Sequence, residues 1–173
     1  MKRIADLAGH ELHWTKGDRH TAHVLRVGDE TVATLRFRSA WGSLATAESA
    51  DGCWTFKRVG FLQTRVTIRR CDSEDEIAVF KHNSWTGGGT LEMDGHRYLA
   101  DTNCWMTTFG FSTDAGEPLM RFRKIKGLMR LSSAVEILPA GAALHHAPWL
   151  VMLGWYLTVQ MHNDAAVVSA AVG

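Results

Sequence analysis

The stretch Pro148–Met161, PWLVMLGWYLTVQM, has no charged side chain. At 100° per residue, Trp149, Leu150, Val151, Met152, Leu153, Trp155, Tyr156, Leu157, Val159 and Met161 cover every face of a helix. A helix that is apolar all round must be wrapped, either by a large core or by lipid. Pro148 suits a first helical turn, where its missing N–H has no bond to make. About 14 residues at ~1.5 Å each reach roughly 21 Å. The hydrocarbon core of a bilayer is about 30 Å thick and asks for about 20 apolar residues. His145, His146 and His162 bracket the run, and Asn163-Asp164 close it. The pattern therefore predicts a core helix over about 148–162 in preference to a membrane anchor. Residues 163–173 read as a loose end or a last apolar turn. Gly154 sits mid-helix, about 1 kcal/mol worse than Ala there, as it would if a strand or side chain had to approach closely.

Upstream, from about Leu12 to Leu138, the chain reads as short β-strands behind a frayed lead-in, residues 1–10. Leu12–Lys16 and His23–Val27 come first, then a turn at Gly28-Asp29-Glu30. In TVATLRFR, Ala33, Leu35 and Phe37 share one face, and Thr34, Arg36 and Arg38 the other, the period of a half-buried strand. Ser43–Glu48 leads to Asp51-Gly52, a hairpin signal. In CWTFKRVG, Trp54 and Phe56 point inward; Arg58 then also points inward, so either that register is wrong or Arg58 is paired inside. Thr64–Arg70 alternates Val66 and Ile68 against Arg65, Thr67 and Arg69. Ile77–Lys81, Thr90–Met93, His96–Asp101, Trp105–Phe111, Leu119–Lys124 and Gly127–Leu138 complete the set, with a second hairpin turn at Asp94-Gly95. Pro139–Ala147 reads as a linker.

Length permits one domain, residues 1–173, with a sizeable core. The net charge of +1 sets up no global field for nucleic acid or membrane, so an electrostatic partner has to be read by a local patch. No nucleic-acid partner is expected. Cys53, Cys71 and Cys104 are odd in number and lack CxxC spacing, which fits unpaired thiols in a reducing compartment. The opening MKRIADLAGHELHW has no apolar run of the kind a secretory signal needs. The expected location is cytoplasmic, peripheral to a membrane if lipid is bound.

Roughly a dozen short strands at 8–12-residue spacing mean an all-β sandwich or barrel. About eight strands close a barrel that side chains fill unaided, and twelve leave a hole. A fully apolar helix of barrel height would fill it. The expected fold is thus mainly β: a closed antiparallel barrel of about 12 strands around a buried apolar C-terminal helix. In this order of elements, SLATAESADGCWTFKRVGF, IAVFKHNSWTGGGTLEMDGHRYLA, PLMRFRKIKG and PWLVMLGWYL resemble the tubby C-terminal-like fold, shared by tubby proteins, phospholipid scramblases and the LURP-one-related family. The resemblance covers about residues 12–162 and contains no catalytic signature.

The candidate site is the hairpin RFRKIKGLMR, which crowds Arg121, Arg123, Lys124, Lys126 and Arg130 into ten residues. Arg36, Arg38, Arg65, Arg69 and Arg70 extend a basic surface. Such groups bind phosphate by charge and forked donors, and the resemblance implies an anionic-lipid or phosphoinositide site of this kind. The bland account is that these charges keep barrel strands soluble and block edge pairing. The histidine pairs His10/His13 and His20/His23 have HxxH spacing, but on a strand that spacing puts the partners on opposite faces. Asp72–Glu76 is acidic but lacks the glycine and terminal Glu of an EF-hand loop. The run Gly87-Gly88-Gly89 lacks the Lys-Ser/Thr of a phosphate loop and reads as a bulge or a close approach. Neither a metal nor another cofactor is expected. The reading is a non-enzymatic binding module for anionic phospholipid; the alternative is a structural or protein-interaction domain with no lipid role.

Overall fold

A computed structural model describes residues 1–60, 63–83, 88–103, 107–124 and 131–172. The alternating segments become β1 (Glu11–Lys16), β2 (Ala22–Val27), β3 (Glu30–Phe37), β4 (Ala45–Ser49), β5 (Gly52–Val59), β6 (Arg65–Arg70), β7 (Glu76–His82), β8 (Gly89–Met93), β9 (His96–Thr102), β10 (Thr108–Thr113), β11 (Pro118–Lys124) and β12 (Ser133–Ile137). Each strand pairs antiparallel with its neighbour in the chain, and β12 returns to β1, which closes the barrel. A short helix α1 (Pro139–Ala142) then leads to α2 (Ala147–Val172).

Period-two alternation decides which face is which. On β5, Trp54 and Phe56 are buried while Lys57 is exposed, and on β11, Phe122 is buried between exposed Arg121 and Arg123. Apolar residues therefore line the interior and charged ones the outside, the reverse of a membrane-spanning barrel. At the β8–β9 turn Asp94 (φ 47°) and Gly95 (φ 74°) take the left-handed conformations of a two-residue hairpin, as Asp-Gly suggested.

Helix α2 runs up the barrel. Its residues from Ala147 to Leu157, with Val159 and Gln160, are buried. Trp155 stacks on Trp14 of β1 at 5.7 Å between ring centroids and meets the edge of His23 of β2 at 5.6 Å. Tyr156 lies against Phe37 of β3 and Phe56 of β5, and its hydroxyl donates to the Ser43 carbonyl at 2.6 Å. Burial, the largest influence, pushes the Tyr156 phenol well above its ordinary range. Gly154 faces β11: a Cβ there would collide with the Phe122 ring, which itself packs on Phe109.

The structure corrects several expectations. The helix starts one residue before Pro148 and does not stop at Asn163-Asp164 but continues to Val172. Asp164 caps nothing; its carboxylate takes both arms of Arg58, at 2.6 and 3.1 Å. This also settles Arg58, which is half-buried and paired where α2 leaves the barrel. Extending a helix that is already nucleated is easy for Ala-rich sequence. The lead-in is not frayed. Ile4 and Leu7 are buried beside the start of α2, and the Ile4 N–H and the Arg3 guanidinium both donate to Asp51. Part of the supposed linker is α1. Strand β10 begins at Thr108 and β12 at Ser133; residues 105–106 and 127–130 of the two expected strands lie outside the described residues. Cys53 and Cys71 are joined in a disulfide at the base of the β5–β6 hairpin, against the expectation of unpaired thiols; Cys104 lies outside the described residues.

Three outcomes follow for stability. Gly154→Ala should destabilise the protein by about 1–3 kcal/mol, the cost of overpacking, although Ala is the better helix former. Adding Phe122→Leu should recover part of that loss in urea unfolding; additive losses would place the contact elsewhere. Replacing Cys53 and Cys71 by Ser should cost about 3 kcal/mol, because the bridge closes a loop of 18 residues; an unchanged melting temperature would refute it. The third concerns pH. Burial, foremost, lowers both His23 and His146 to about 4. Unfolded, each titrates near 6.5. Above that pH neither state binds a proton and stability is full. As pH falls from 6.5 towards 4 the unfolded chain gains protons that the fold refuses, so stability declines. Between pH 7.5 and 5.0 the loss should be about 2 kcal/mol per histidine. His23→Gln with His146→Gln should flatten that dependence; a slope unchanged by the double variant would contradict the assignment.

Candidate functional site

Antiparallel order puts successive connections at alternate ends of the barrel. The end where α2 begins has the connections 28–29, 50–51, 71–75, 94–95 and 114–117. They carry Asp29, Asp51, Asp72, Glu74, Asp75, Asp94, Asp114 and Glu117, and no Lys or Arg. Lys2 and Arg3 pair with Glu30 and Asp51 there, and Arg69, Arg70 and Arg97 at strand ends pair with Glu74, Asp72 and Asp114, which leaves the carboxylates in excess. The other end, the mouth, is where α2 emerges. Among the described residues of its connections the one carboxylate is Asp18, set against Arg19 and Arg38. Strand ends add Lys16, Arg65 and Lys124, with Arg58 held in its fork with Asp164 and the exposed Asp101 near the end of β9 opposing them. Trp41, between β3 and β4, is 92% exposed, and Val167, Val168 and Val172 of the emerging helix are also exposed. The barrel is thus polar along its axis, acidic at one end and basic with apolar projections at the other.

The predicted basic hairpin is divided by this geometry. Arg121 and Arg123 do share the outer face of β11, as their spacing required. Arg123 donates to Glu11 of β1 at 2.7 Å, and Arg121 stands opposite Glu136 of β12 in the register. That face is therefore mixed in sign. Lys124, by contrast, lines a cleft at the mouth. Lys126 and Arg130 lie outside the described residues. Two arginines of the proposed extension are ion-paired too: Arg69 bonds Glu74 and Glu76, and Arg70 pairs with Asp72. The same bonds give the acidic stretch Asp72–Glu76 its partners. Arg36 and Arg38 remain exposed.

Two cavities flank α2 at the mouth. One, of about 210 Å³, is lined by Phe122, Lys124, Ser132, Thr158 and His162 among others. The Ser132 hydroxyl is buried with no hydrogen-bond partner among the described residues. The second, about 690 Å³, lies between Lys16, His20, His23, Phe37 and Trp41 on the barrel side and the outer turns of α2. On a third side, burial and then the neighbouring Arg58 lower the pKa of His82, with Asp164 opposing.

The histidine pairs separate. His20 is exposed in a turn while His23 is buried inside; His10 precedes β1, and His13 on the outer face meets Glu11 at 3.3 Å. Among the described residues no group of three or more His, Cys, Asp or Glu could hold a metal ion. Gly88 lies tight against the Ala100 carbonyl and Gly89 against Lys81 and Phe80, so the glycine run is a close approach; Gly87 lies outside the described residues. The reading of the sequence missed Trp41 and the outer turns of α2. The available signal was the contrast between connections, Asp-rich at one end and acid-poor at the other.

Among the described residues no helix is long and apolar enough to cross a membrane. Comparison of the chain with family models, with curated proteins and with solved structures gives no match.

Proposed function

We propose that this chain is a non-catalytic binding module that seats end-on against an anionic phospholipid surface, mouth downward. One observation carries the reading: the opposite chemistry of the two ends. An acid-poor, basic rim around an exposed Trp and an apolar helix end is what an anionic interface attracts. The acidic end would be repelled, which gives the encounter an orientation. Each Lys or Arg close to such a surface contributes about 1 kcal/mol, so Lys16, Arg19, Arg38 and Lys124 together supply useful affinity. Phosphoinositide recognition by Arg121, Arg123, Lys124, Lys126 and Arg130 is the narrower form of this proposal. Membership of the tubby-like group belongs with it, supported by the closed barrel and its internal C-terminal helix.

A second reading, a protein-interaction domain, draws on the uncharged outer turn of α2, where Val167, Val168 and Val172 are exposed. Co-sedimentation separates the two. Vesicles containing phosphatidylserine, with and without a phosphoinositide, should retain the protein at low salt and release it at high salt, and neutral vesicles should not retain it. Trp41→Ala with Arg38→Ala should weaken retention several-fold, more than Arg121→Ala with Arg123→Ala on the flank. Equal binding to neutral and anionic vesicles, or none to either, would end the lipid reading; a dimer in light scattering that Val167→Asp disperses would then support the second.

A further inference from the structure

The 690 Å³ cavity beside α2 shares Lys16, Trp41 and Val167 with the end-on reading and adds His20, His23 and His162, which that reading does not use. Its volume lies in the range of small-molecule sites, ~300–1,000 Å³. One wall is apolar: Phe37 and Trp41 from the barrel, with Val159, Ala166, Val167 and Ala170 from the helix. The other carries Lys16, His20, His23 and His162, and among the described residues no Asp or Glu lines it. Of the lining residues His23 is 6% exposed, and its Nδ1 has no hydrogen-bond partner among the described residues. A buried polar nitrogen without a partner is uncommon in a finished interior. No guanidinium lines the cavity among the described residues, so the forked donors usual for phosphate are missing, and a singly charged head suits one ammonium among imidazoles.

We propose that this cavity binds a small amphipathic carboxylate, its acid group held by Lys16, His20 and His162 and its apolar body lying between Trp41 and the outer turns of α2. The ligand covers the indole of Trp41, which is otherwise 92% exposed. The site makes the protein a carrier or sensor of such acids, whether or not the mouth also meets a membrane.

The test is calorimetric titration of the full chain with decanoate, below its micelle concentration and without vesicles, so the outcome is separate from that of co-sedimentation. Decanol and decyltrimethylammonium serve as neutral and cationic probes of the same length. Decanoate should bind at one site and bring a change in tryptophan emission that Trp41→Phe reduces. Lys16→Ala with His162→Ala should weaken it at least about tenfold, the loss expected for charge-assisted bonds. Lys16, His162 and Trp41 are exposed, so these variants should keep the wild-type melting temperature. No binding by wild type, decanol binding as tightly as decanoate, or full affinity in the Lys16/His162 variant would each overturn the proposal.

Discussion

The structure depends on a mutual burial. Helix α2 has no polar face over its inner turns, and a twelve-stranded barrel is too wide for its own side chains to fill. Neither part can exclude water alone. The join is made by aromatic contacts from different strands, Trp14 on Trp155 and Phe37 on Tyr156, and by the close fit of Gly154 to Phe122. Side chains at this density respond to a single added methyl, so packing fixes the axial position of the helix, and the Tyr156–Ser43 and Arg58–Asp164 bonds add to it towards the mouth.

This explains which features were legible in the sequence. Strand alternation is local, and the barrel obeys it almost everywhere because its inside is apolar and its outside charged. The helix core is local for the same reason. Arg58 was not legible, since its partner Asp164 lies 106 residues away and the pairing exists only once the helix has passed through the barrel. Asn163-Asp164 resembles a helix stop for lack of that knowledge. The Cys53–Cys71 bridge has no spacing signature; it follows from the register that sets Trp54 against Arg70, one residue from each cysteine. Of the candidate site, the Arg121/Arg123 face was legible from period two, but the Glu11 that pairs with Arg123 and the Glu136 that stands opposite Arg121 come from β1 and β12 and had no local trace.

The two ends of the barrel also divide stability from recognition. At the closed end Ile4 and Leu7 are buried, Asp51 gathers the Ile4 amide and Arg3, and the disulfide staples β5 to β6. These contacts tie together the start of α2, the N-terminus and the strand connections. At the mouth the fixed points are fewer: the Arg58–Asp164 fork and the Tyr156 bond to Ser43. Around them sit the cavities, and the buried Ser132 hydroxyl and His23 Nδ1 have no partner among the described residues. A chain under selection for stability alone gains by pairing such groups, since an unpaired buried polar atom costs about 1–3 kcal/mol. Such groups are not confined to the mouth, since both ring nitrogens of His146 at the closed end are also buried without a partner among the described residues; what sets the mouth apart is its cavities, its exposed apolar helix turns and Trp41. The anchoring at the opposite end, through Ile4, Leu7, Asp51 and the disulfide, is then what allows the mouth to keep those open cavities.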